Sequence, residues 1–213
     1  MRQRVAILLV SALLFAVGCA PKLVSYPAGD LPPLGPPQQM QLETPEHTAA
    51  AATLWNSTDA ILKFYQTDMQ PIFNGLHTAT QSMDHDAFDQ LTPEGIRKND
   101  KWLLLVFDAE HALKAFRNAN AKARDPELVK KGELTALKAE QFLKQMRLLV
   151  NQSGRMLADG YAYNRSWHEK NLSHLNPENE NSFNSTMEKI KKQGGVVRET
   201  RDALAASLRE LHI

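Results

Sequence analysis

The sequence predicts an all-α protein, an up-and-down antiparallel bundle of about four long helices, and three observations predict it. A capping residue followed by proline and glutamate recurs at Thr44-Pro45-Glu46, Thr92-Pro93-Glu94, Asp125-Pro126-Glu127 and Asn176-Pro177-Glu178. Apolar residues after each triplet repeat at intervals of three and four, the period of one helix face. No stretch alternates with period two for long enough to need a sheet.

Each triplet has the chemistry of a helix start. Thr, Asp and Asn side chains accept from the free N–H groups of a first turn. Proline suits the first helical position because its missing N–H would be unpaired there anyway. A glutamate beside it complements the positive end of the helix dipole.

The first segment carries Leu62, Tyr65, Met69, Ile72, Leu76, Ala79 and Met83 on one stripe. That stripe runs through Pro71, which predicts a single helix kinked at the proline. Residues Met83 to Leu91 are expected to form the one sizeable loop, with the second helix beginning at Thr92. That helix carries Trp102, Leu105, Ala109, Ala112, Phe116, Ala119 and Ala123, widened by Val106 and Leu113. Its alanines let a neighbour approach closely, while Trp102 and Phe116 fill space.

The short link at Arg124-Asp125 demands antiparallel neighbours. The third stripe is Ala139, Phe142, Met146, Leu149, Ser153 and Met156, and Gly160 predicts a break or bend beyond it. The fourth is Phe183, Met187, Ile190, Gly194, Val197, Arg201, Leu204, Leu208 and Leu211. Gly194-Gly195 costs a helix about 2 kcal/mol, yet the unbroken period predicts a continuous or slightly bent rod.

Upstream of residue 44 the composition changes. From Ala20 to Glu43 the chain is polar and holds Pro21, Pro27, Pro32, Pro33, Pro36 and Pro37. Proline fixes φ and removes a donor, so this stretch is expected to be a disordered, semi-rigid spacer reaching up to roughly 70 Å. Before it, Met1-Arg2-Gln3-Arg4 is basic, and Val5 to Val17 is apolar except for Ser11. That run is too short for a membrane span of ~20 residues and fits a signal peptide.

Ala16-Val17-Gly18-Cys19, ending the run at the only cysteine, resembles the bacterial lipobox, with Ala16 where leucine is commonest. The resemblance implies a signal peptide at 1–18 and acylation of Cys19 with palmitate-type chains, which then becomes the N-terminus. Residues 19–43 would form the lipidated tether and 44–213 the bundle domain. Ala20 after the cysteine, rather than Asp, implies the outer membrane, with the domain facing the periplasm. Several acyl chains on one terminus give stable anchoring.

Composition narrows the chemistry. A lone cysteine excludes an internal disulfide and a cysteine-based metal site. The net charge of +1 includes Arg2 and Arg4 of the leader, leaving about −1, which does not point to a nucleic-acid partner. Lys189, Lys191 and Lys192 read as a solvated helix face.

Four local patterns could carry function. Asp108-Ala109-Glu110-His111 has one carboxylate–imidazole pair without the second copy that a bundle metal site needs. Met83-Asp84-His85-Asp86 with Asp89 lacks the glycine and ligand number of a calcium loop. His111, His168 and the core methionines could in principle hold haem, but Met at helical spacing is ordinary core filler. The densest aromatic and polar run is Tyr161-Ala162-Tyr163-Asn164-Arg165-Ser166-Trp167-His168. Within it Tyr161, Tyr163, Arg165, Trp167 and His168 are the best binding residues in the sequence, suited to a peptide or glycan groove.

No phosphate loop, Gly-x-Ser-x-Gly or His-Glu-x-x-His motif is present. No catalytic residue, metal or cofactor is therefore assigned. The expected function is a non-catalytic interaction or scaffold module of the cell envelope, with the membrane and an envelope protein as partners. The alternative is a carrier of a metal, haem or apolar molecule in the bundle.

Overall fold

A computed structural model describes residues 30–35, 41–82, 84–168 and 177–211, without the side chains at 81, 163, 165–168 and 177–184. Among the described residues every regular element is helical. The helices are α1 (Pro45–Phe64), a π-helical turn (Tyr65–Met69), α2 (Gln70–Ser82), α3 (His85–Asn120), α4 (Pro126–His168) and α5 (Pro177–Arg209). The first rod, α1 to α2, packs on α3, α3 on α4, and α4 on α5, in chain order. This is the up-and-down bundle of four rods. Cys19 and the leader lie outside the described residues.

Two of the four helix starts form as the triplets require. The Thr44 hydroxyl accepts from the His47 N–H at 3.1 Å, and the Asp125 carboxylate accepts from the N–H groups of Glu127 and Leu128 at 2.9 and 3.4 Å. Helix α5 begins at Pro177, while Asn176 lies outside the described residues.

The Thr92-Pro93-Glu94 triplet starts nothing. Helix α3 begins at His85 and holds Pro93 in its interior, so the loop expected from Met83 to Leu91 is helix from His85 onward. Asp84 is the true cap, accepting from the Ala87 N–H at 2.9 Å. The Thr92 hydroxyl instead turns back to the Phe88 carbonyl at 2.7 Å. Interior proline costs a helix ~3 kcal/mol. Burial of Phe88, together with Leu91 packed against the core, offsets that cost.

The irregularity expected at Pro71 sits just ahead of it. Residues Tyr65–Met69 widen into a π turn, and the Gln70 N–H bonds the Tyr65 carbonyl five residues back. Pro71 has no N–H for Thr67, and its ring crowds that carbonyl, so the preceding turn gives way. Trp102 meets this turn from α3. Its ring stacks on Tyr65 at 5.4 Å, and its indole N–H donates to the Ile61 carbonyl at 3.1 Å.

Gly160 makes no break: α4 is helical from Pro126 to His168. It is buried. Helix α5 likewise passes through Gly194-Gly195 uninterrupted.

The predicted stripes form the core. Leu62, Tyr65, Met69, Ile72, Leu76 and Ala79 are buried, as are Trp102, Phe116, Phe142, Met146, Ile190, Val197, Leu204 and Leu208. Met83 and the Phe183 side chain lie outside the described residues. Close approaches occur where side chains are small. A Cβ on Gly95 would stand 2.8 Å from Leu157 Cδ2 and 3.0 Å from Ile72 Cγ2. Polar pairs fix register between α4 and α5, with the Thr135 and Ser207 hydroxyls 2.7 Å apart and Gln193 donating to Gln145.

The spacer expected from Ala20 to Glu43 is in part a docked strap. Leu31 and Leu34 are 0% and 5% exposed, and Leu42 is also buried. Leu42 N–H donates to the Thr48 hydroxyl at 3.0 Å. The Glu43 carboxylate caps the α3–α4 link, accepting from the N–H groups of Arg124 and Asp125. The strap lies where the bundle needs it. The outer rods α1 and α5 do not pack along a common seam as the other neighbours do, and residues 30–35 bridge them.

Candidate functional site

The binding run singled out in the sequence occupies the last two turns of α4. Tyr161 is exposed. The side chains of Tyr163, Arg165, Trp167 and His168 lie outside the described residues. Asn164 turns inward and is 3% exposed. It accepts from His85 Nδ1 at 2.6 Å and donates to the Asp89 carboxylate at 2.5 Å and the His85 carbonyl at 3.2 Å. Two stretches far apart in sequence thus meet as a partly buried polar tie between α3 and α4. Among the described residues no three His, Cys, Asp or Glu side chains converge as metal ligands. Asp108 and His111 face solvent.

An open groove of about 470 Å³ lies between α3 and α4, lined by Glu110, Lys114, Arg117, Glu140, Lys144 and Arg147 among others. Arg117 pairs with Glu140 at 2.6 Å, Arg147 pairs with Glu110, and the Arg147 guanidinium lies 4.8 Å over the Phe107 ring. The partners are a third to a half exposed, so these pairs contribute little.

The best-built site is the seat of the strap, between α1 and α5. Leu31 precedes Pro32, and Pro32 precedes Pro33, so steric clash with each proline ring holds the preceding residue extended. Gly35 then turns at φ +84°, a conformation that a side chain resists. Helix α1 contributes Trp55 and Asp59. The Trp55 indole N–H donates to the Gly35 carbonyl at 3.0 Å. The Asp59 carboxylate, on a residue 5% exposed, accepts from the N–H groups of Leu34 and Gly35 at 2.7 and 3.3 Å. Its second oxygen meets Lys63 Nζ at 2.7 Å.

Helix α5 contributes two arginines. Arg201 donates to the Pro33 carbonyl at 2.6 Å and Arg198 to the Asp30 carbonyl at 3.1 Å. The contacts of Trp55, Asp59, Arg198 and Arg201 all read strap backbone, and among residues 30–35 the buried side chains are Leu31 and Leu34. Below the seat, burial pushes the Tyr65 hydroxyl up to about 12; Asp30 adds to the shift and Arg198 opposes it. Tyr65 is therefore a neutral donor at physiological pH.

Sequence reasoning missed this seat, although three signals for it were present. Arg201 falls within an otherwise apolar stripe, Asp59 falls between Trp55 and Leu62, and two leucines punctuate a proline run.

One more polar group is buried in the first turn of α1. His47 is 1% exposed against the Phe116 ring, with centroids 5.6 Å apart. Neither ring nitrogen has a hydrogen-bond partner among the described residues. Burial lowers its pKa from 6.5, with Glu43 opposing.

No family model, curated protein or solved structure matches this chain. What the fold and site define is a helical bundle with a proline strap closing its outer seam. No helix among the described residues is long and apolar enough to cross a membrane.

Proposed function

We propose that this protein is an outer-membrane lipoprotein, anchored through Cys19, whose bundle is a non-catalytic interaction or scaffold module facing the periplasm. The lipobox resemblance supplies the anchor. The observation that carries the interaction role is the outward stripe on α4. Leu134, Leu137 and Leu148 are 47%, 48% and 42% exposed at spacings that put them on one helix face. Leu104 on neighbouring α3 is 61% exposed and Phe107 38%. Large apolar side chains on one face, ringed by charge, are the usual composition of a partner surface.

The docked strap alters what the anchor does. Cys19 precedes Asp30 by eleven residues, a span of roughly 35 Å when extended at ~3.1 Å per residue. The strap runs antiparallel to α1, with Gly35 at Trp55 and Leu34 at Asp59. Asp30 therefore lies on the side of the seat nearer the end that carries Ser82 and His85. On this reading that end faces the bilayer, and the bundle stays within a few tens of ångströms of it.

A photo-crosslinking residue at position 137, in cells expressing the full chain, tests the role. A discrete adduct with an envelope protein, absent when the crosslinker sits at Lys189 on α5, is the expected result. No adduct at 137 or 104 would remove the interaction reading. Loss of acyl label and of membrane fractionation in Cys19→Ser tests the anchor separately.

A further inference from the structure

We propose that the trough between α1 and α5 is a binding site for proline-rich peptides bearing two leucines one polyproline turn apart, and that residues 30–35 are its resident occupant in cis. The pattern of contacts, with side chains of the bundle bonding strap backbone while two leucines are buried, is the one that polyproline recognition uses. Pro32 and Pro33 favour a polyproline path for themselves and the residues before them, and the three-residue repeat of a polyproline helix would put Leu31 and Leu34 on one face; both are buried. Such a helix makes no internal hydrogen bonds and leaves its backbone groups for the receptor. Here an indole, two guanidiniums and one buried carboxylate take them, through three strap carbonyls and two strap N–H groups.

The receptor groups come from the bundle alone. Trp55 and Asp59 sit on α1, Arg198 and Arg201 on α5, and both helices are held by α3 and α4 without the strap. What the site requires of a ligand is therefore Leu-Pro-Pro-Leu-Gly chemistry, and covalent continuity with α1 is not among the requirements. Continuity supplies only effective concentration, of millimolar order for a short linker, which keeps the seat filled until the strap is displaced.

The test uses the full chain. Leu31→Asp/Leu34→Asp should release the strap, and a labelled eight-residue peptide with the sequence of residues 30–37 is then titrated by fluorescence anisotropy. Saturable binding to this variant is expected, at least tenfold weaker in the wild-type chain, whose own strap competes. Adding Asp59→Ala should weaken binding by about tenfold or more, since the peptide loses a charge-assisted bond to its backbone. A peptide with alanine at both leucine positions should fail to bind.

No saturable binding to a folded double variant, or equal binding of the alanine peptide, overturns the proposal. If the double variant does not fold, a protease site placed within residues 36–40 decides the matter. After cleavage of the folded chain, the labelled peptide should exchange into the seat and displace the cut strap. A cut strap that leaves without the peptide rebinding overturns the proposal as well.

Discussion

Replacing Asp59 with alanine is the sharpest perturbation of the strap. The carboxylate accepts from the buried Leu34 N–H at 2.7 Å and, less directly, from Gly35 at 3.3 Å. A hydrogen bond to a charged group contributes about 1.5–3 kcal/mol, and a buried donor left unpaired costs a similar amount. Lys63 adds little, because its side chain is 62% exposed and exposed pairs are worth under ~1 kcal/mol. Asp59→Ala should therefore lower stability by about 2–3 kcal/mol. In a chain of this size that lowers the melting temperature by roughly 5–10 °C.

Asp59→Asn, which keeps an acceptor but loses the charge, should fall between Asp59→Ala and wild type. Lys63→Ala should stay within ~0.5 kcal/mol of wild type. Urea unfolding followed by tryptophan fluorescence and circular dichroism reads all three. If Asp59→Ala matched Lys63→Ala, the carboxylate would not be holding the strap and the reasoning would fail.

Three further outcomes follow from other sites. His47 has its pKa lowered from 6.5 by burial, with Glu43 opposing, so it takes up a proton less readily in the folded chain than in the unfolded one. Stability should thus fall as pH drops through 6.5, by up to ~1.4 kcal/mol per unit for this group. The wild type should lose more than His47→Leu when urea midpoints are compared at about pH 7.5 and 5.5. Gly132→Ala should destabilise by about 1–3 kcal/mol. Its Cβ would stand 1.8 Å from Asn120 Oδ1 and displace an amide that donates to the Val129 carbonyl at 3.0 Å. The same change in an Asn120→Ala background should cost much less, a coupling that a double-mutant cycle reads. Gly195→Ala, where a Cβ meets nothing within 4 Å, should raise the melting temperature, since alanine favours helix by up to ~1 kcal/mol.

The rods were legible because their signals are local. Thr44 and Asp125 cap within three residues of themselves, and the apolar stripes report burial directly. The Thr92 triplet misled because proline at the first turn and proline inside a helix carry the same neighbours. What separated them was Asp84, eight residues upstream, and the packing of Phe88. Gly160 misled because helix propensity is a weak prior, about 1 kcal/mol for one glycine, in a helix of 43 residues.

The site was far less legible. The prolines correctly implied an extended path, but whether that path lies in solvent or in a trough depends on Trp55, Asp59, Arg198 and Arg201. Those residues meet the strap only after the bundle has formed. The aromatic run at Tyr161 drew attention by composition, whereas Asn164 within it proved to be the structural member, tied to His85 and Asp89 across more than seventy positions.

The most direct test of the docked strap is amide hydrogen exchange at Leu34 in the full-length chain, measured at the residue level. The Leu34 N–H is buried and bonded to Asp59, so it should exchange at least about a hundredfold more slowly than in the free peptide of residues 30–37 and lose that protection in Asp59→Ala. Exchange at the free-peptide rate in the wild-type chain would contradict a strap seated between α1 and α5.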